Sequence, residues 1–110
     1  MTDLIYEPLF SRMIQVVMDR CRASGNAVSI VVCDKEGKDT FVATEASGED
    51  VAFMAAETVF SFCKKVSEDS GLPVGELVRM THQEISTYLA IMIRRDDEQM
   101  ELLNNPVGMA

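Results

Sequence analysis

The sequence predicts a small α+β domain in which a β-hairpin lies between an N-terminal helix and a long second helix, with a helical C-terminal third. Three observations carry that reading. Residues 27–44, AVSIVVCDKEGKDTFVAT, alternate like two strands around a polar, glycine-containing turn. The stretches on either side repeat their apolar residues at helical spacing. The chain has 110 residues, 47% of them hydrophobic, which suits one globular domain over residues 1–110, with residues 104–110 a loose tail.

Helical period begins at Pro8, a residue suited to a first helical turn, and runs to about Ala23. Phe10, Met13, Ile14, Val17 and Cys21 form the apolar stripe, widened by Leu9 and Met18. Arg12, Asp19, Arg20 and Arg22 occupy the other side. Gly25, within Ser24-Gly25-Asn26, suits the left-handed position just past a helix end.

In the hairpin, Val28, Ile30 and Val32 fall on one face and Ser29, Val31 and Cys33 on the other; Thr40, Phe41, Val42 and Ala43 resume the pairing after the turn. Both faces are largely apolar, so each calls for a cover. A hairpin alone is marginal in water, and its partner surface must come from helices, later strands or a second copy of the chain. The DKEGKD turn is acidic. It lacks the alternating oxygens and later bidentate glutamate of an EF-hand loop, and Lys35 and Lys38 offset its charge.

The second helix is marked at both ends. Ser47 can cap it, Glu49 and Asp50 suit the positive end of its dipole, and Ser70-Gly71-Leu72-Pro73 stops it. Ala52, Ala55, Ala56, Val59, Cys63 and Val66 form a small-residue stripe expected to pack on the sheet. Phe53, Phe60 and Phe62 form a rim left for another helix or a partner subunit.

Pro73 opens the last third. Val74, Leu77 and Val78 keep helical spacing, and Thr81-His82-Gln83-Glu84 has the form of a capping box that would start a further helix. Ile85, Leu89, Met92 and Ile93 continue the helical period. Ile85, Thr87, Leu89, Ile91 and Ile93 also alternate as a strand would. The helical reading is favoured, because residues 79–94 hold no glycine, proline or asparagine to turn a hairpin. Were the segment extended, the order helix, hairpin, helix, hairpin would be similar to small profilin-like and roadblock-like dimerisation and sensing domains, a resemblance of element order alone. Arg94 to Glu98 is a dense charge run, after which Met100, Leu102 and Leu103 suggest a terminal helix returning to the body. Asn104-Asn105-Pro106 stops it.

Composition excludes several classes. Ten basic and 18 acidic residues give a net charge of −8, which disfavours direct nucleic-acid binding. The longest apolar runs, VAFMAA and YLAIMI, are about a third of the ~20 residues a membrane span requires. The start MTDLIYEPLF lacks the basic and apolar segments of a signal peptide, so a cytoplasmic location is expected. Cys21, Cys33 and Cys63 show no CxxC spacing and read as buried free thiols; Lys64 and Lys65 beside Cys63 leave a redox role open.

No catalytic residue, cofactor site or metal site emerges. His82 is the single histidine, read as a partly exposed residue in the first turn of a helix. The six glycines form no phosphate-binding loop. Eight methionines and no tryptophan fit core filling better than an adaptable binding surface.

The functional expectation is a non-enzymatic protein-interaction or regulatory domain that works as a homodimer and contacts another protein. Its interface is expected on the outer hairpin face, with Ser29, Val31, Cys33 and Val42, and on the rim of Phe53, Phe60 and Phe62. Two alternatives stand beside it: a small-molecule-sensing domain with a pocket between sheet and long helix, and an acidic inhibitor of a basic enzyme or nucleic-acid-binding protein.

Overall fold

A computed structural model describes residues 4–36 and 39–104. A short 3-10 turn, Leu4–Tyr6, precedes helix α1 (Pro8–Ala23), strands β1 (Val28–Cys33) and β2 (Thr40–Glu45), and helices α2 (Gly48–Ser70) and α3 (Val74–Asn104). This is a small α+β fold with a two-stranded antiparallel sheet. The chain divides into two compact units, Met1–Glu57 and Thr58–Ala110, and α2 runs through the boundary.

In the first unit, Pro8 occupies the first turn of α1, where its missing N–H costs nothing. Arg20 and Arg22 lie in the last turn, at the negative end of the helix dipole. The exit is a Schellman motif. Asn26 N–H donates to the Cys21 carbonyl at 2.8 Å and Gly25 N–H to the Arg22 carbonyl at 3.2 Å. This closure needs a left-handed residue, and Gly25 supplies it with φ 72°.

The strands pair with Val31 opposite Val42, Val28 opposite Glu45 and Cys33 opposite Thr40. Their alternation sends Val28, Ile30, Val32, Phe41 and Ala43 to a half-buried inner face, and Ser29, Val31, Cys33, Thr40, Val42 and Thr44 to an exposed outer one. α1 packs against β2. Phe10, 8% exposed, meets the Phe41 ring edge to face, with centroids 5.3 Å apart and ring planes at 76°. Ile14, Met18 and Cys21 continue this row, half-buried. Leu9, Met13 and Val17 were expected in the same stripe and are exposed instead. Two strands about 4.8 Å apart cover a narrower arc than the apolar side of α1 spans.

Arg22 ties the end of α1 to the end of β2. Its Nε donates to Glu45 Oε1 at 2.6 Å and its Nη2 to Oε2 at 2.7 Å, a bidentate pair, with Asp19 Oδ1 at 3.6 Å from Nη1. Those hydrogen bonds and the guanidinium charge hold the Glu45 carboxyl below its ordinary value of 4.5.

α2 starts as its sequence signals indicate: Ser47 Oγ accepts from Asp50 N–H at 3.2 Å, with Glu49 and Asp50 in the first turn. It ends at Gly71, whose φ is 79°. Ser67 Oγ reaches over the turn to donate to the Leu72 carbonyl at 2.5 Å. The part of the small-residue stripe that lies in the first unit does not cover the sheet. Ala52, Ala55 and Ala56 are exposed; in the second unit Val59 and Val66 are half-buried and Cys63 is buried, its Sγ 3.5 Å from Thr81 Oγ1 on α3.

α3 is one helix of 31 residues, about 46 Å long at 1.5 Å per residue. Leu77 N–H donates to the Pro73 carbonyl, so Pro73 opens the helix as expected. The expected break at Thr81 does not occur. Thr81 Oγ1 donates to the Leu77 carbonyl one turn back at 2.9 Å, which occupies the hydroxyl a capping box would use. The strand pattern of Ile85 to Ile93 likewise gives way, and with it the profilin-like and roadblock-like element order. A helix satisfies its backbone by itself, whereas a strand needs a neighbour. Met100, Leu102 and Leu103 do not form a separate returning helix; they are exposed on the same continuous α3. The helix ends at Asn104, and the tail read over Val107 to Ala110 lies outside the described residues.

Two outcomes follow for the first unit. Gly25→Ala places a Cβ in open space but in a left-handed conformation, so it is expected to destabilise by about 1 kcal/mol in a denaturant titration. Because the folded Glu45 carboxyl ionises more readily than the unfolded one, its stabilisation is complete above the ordinary value of 4.5 and fades as pH falls through the lower folded value. The stability gap between the parent and Glu45→Gln should therefore be widest near neutral pH and close in acid.

Candidate interaction surfaces

The outer hairpin face is shaped by its register. Val31 and Val42 stand opposite each other and are 62% and 61% exposed; Ser29 and Thr44 join hydroxyls at 3.0 Å on one side, and Cys33 and Thr40 pair on the other. The result is a small apolar centre with a hydroxyl border. All four residues named for this face, Ser29, Val31, Cys33 and Val42, are exposed there. Exposure of Cys33 corrects the reading of all three cysteines as core residues: Cys21 is half-buried, and only Cys63 is enclosed. Strand alternation puts the four hairpin positions on the side opposite Phe41, and each is exposed.

Phe53, Phe60 and Phe62 of the α2 rim are all exposed, Phe53 by 65%. Phe53 belongs to the first unit and the other two to the second. Each lies outside the positions that α2 buries.

A third surface was missed. From His82 to Asn104 every residue of α3 is exposed, including Ile85, Tyr88, Leu89, Met92 and Ile93. The helical period of these residues was visible in the sequence. Their exposure was not, since a capping box at Thr81 implied a new helix free to turn back and bury them. The methionines share this outcome: Met13, Met80 and Met92 are exposed and Met18 and Met54 half-buried, against the expectation of core filling.

The chemistry of the described residues is correspondingly plain. They hold no group of three or more histidine, cysteine or acidic side chains placed to grip a metal ion, and no helix among them is long and apolar enough to cross a membrane. His82 lies exposed in the third turn of α3, not the first turn of a helix. Neither a family model, nor a curated protein, nor a solved structure matches the chain.

Thiol labelling checks this placement. In the native chain Cys33 should react with an aromatic disulfide reagent at the rate of an accessible thiol, while Cys63, 1% exposed, should react only on unfolding. Equal native rates would contradict the burial of Cys63.

Proposed function

We propose that the chain is a non-enzymatic protein-interaction domain that acts as a homodimer and presents further surface to another protein. The observation that supports this is the mismatch between apolar content and apolar burial. Among the described residues only Phe10 and Cys63 are buried apolar side chains, whereas 23 large hydrophobic residues are exposed. Burying one such side chain fully contributes about 1.5–3 kcal/mol, so the uncovered residues hold more stabilising capacity than the two covered ones. Monomers that function alone rarely expose a contiguous apolar patch larger than a few hundred Å².

Self-association is the economical way to cover it, since one interface then serves both copies. The outer hairpin face and the phenylalanine rim are the surfaces assigned to partner contact. A net charge of −8 keeps the chain soluble while these patches are open, and favours a partner whose contact surface is basic at its rim.

Light scattering at micromolar concentration should give the mass of two chains, and a monomer there would overturn the homodimer reading. Val31→Asp should leave the stability of the dissociated chain within about 0.5 kcal/mol of the parent, as a surface substitution does. Outright unfolding would place Val31 in the core and remove the hairpin face as a contact surface.

A further inference from the structure

We propose that two copies of the chain pair through the distal half of α3, antiparallel and crossing at Leu89. This deepens the homodimer reading and rests on it. The surface concerned begins where α3 stops being covered. Val74, Leu77, Val78 and Thr81 are half-buried, with Thr81 beside Cys63, and from His82 to Asn104 the helix is exposed on every side. Beyond Thr81, His82, Ile85, Leu89, Ile93 and Asp96 form one row along the helix, following one another at steps of three, four, four and three residues, with Met92 beside the row.

The order of these residues is self-complementary. When two identical helices cross antiparallel, residues equally far before and after the crossing point face each other, as a two-fold axis requires. Ile85 and Ile93 lie four residues either side of Leu89, and His82 and Asp96 lie seven either side. Leu89 then meets its own counterpart, Ile85 meets Ile93 of the second copy, and His82 meets Asp96 of the second copy. Apolar residues face apolar ones at the centre, and at each end a histidine faces a carboxylate.

Charge selects this direction over the parallel one. Parallel pairing in register sets Asp96, Asp97 and Glu98 against the same three acids of the second copy. Antiparallel pairing sets them against His82, Thr81 and Met80, none of which is acidic. The apolar area is that of a small interface. Ile85, Leu89, Met92 and Ile93 expose on the order of 100 Å² each, so roughly 400 Å² of apolar side chain lies within the symmetric span 82–96, about half of the ~800 Å² per partner of a standard interface, and the polar flanks add to it.

Mixed variants test the pairing. His82→Glu should weaken self-association roughly tenfold by facing Asp96 with another acid, and Asp96→Lys should weaken it less. An equimolar mixture of the two should form a heterodimer tighter than either homodimer. In it the acid introduced at position 82 of one chain faces the base introduced at position 96 of the other, while the unchanged His82 and Asp96 still face each other at the opposite end. Independently, in a Cys33→Ser background, Ile85→Cys mixed with Ile93→Cys should cross-link on mild oxidation far more readily than either variant alone. His82 and Asp96 are exposed, so both substitutions should keep the parent helix content by circular dichroism. If the protein is dimeric but the mixture gains nothing and the mixed cross-link is absent, the α3 pairing is overturned while the homodimer reading stands. A monomer under all conditions overturns both.

Discussion

The contact between Phe10 and Phe41 is what lets a two-stranded sheet exist in this chain. Two strands by themselves do not bury enough to stay paired, and the edge-to-face rings set α1 against the inner face at Phe41. The rest of that unit follows from the same placement. The Schellman closure at Gly25 reverses the chain within three residues so that β1 can begin at Val28, and the Arg22–Glu45 pair fastens the open end of the hairpin to the last turn of the helix. Sequence reading assigned the cover to α2; the aromatic pair assigns it to α1.

In the second unit one enclosed thiol plays the corresponding part. Cys63 sits against Thr81, and the half-buried Val59, Val66, Leu77 and Val78 share the join between α2 and α3. The join covers only the first turns of α3. Beyond it, from His82 to Asn104, every residue of α3 is exposed, apolar ones included.

Elements with their own punctuation were legible in the sequence. Pro8, the glycines at 25 and 71, Ser47 and the Asp34–Asp39 turn each act on a few neighbouring residues, and the structure uses Pro8, Ser47 and both glycines as expected. Coverage was not legible in the same way. Whether Met13, Ala55 or Leu89 is buried depends on which distant element lies over it, and periodicity reports only that a face is apolar. Thr81 failed for a subtler reason. Its hydroxyl has two backbone partners within reach, one that starts a helix and one that continues it, and with no glycine or proline from 76 to 105 the continuing choice carries the chain straight on. The outer hairpin face was located residue by residue because strand alternation fixes both sides at once.

The double pattern of Ile85 to Ile93 has a consequence beyond its conformation. A segment that alternates apolar residues, holds no charge between Glu84 and Arg94 and lies exposed has the composition of an amyloid-forming stretch whenever its helix frays. The charges at its two borders, Glu84 before and Arg94 to Glu98 after, stand where gatekeeper residues interrupt the stacking of such stretches. The dense charge run is therefore a safeguard for the unfolded chain as much as a solvated surface of the folded one.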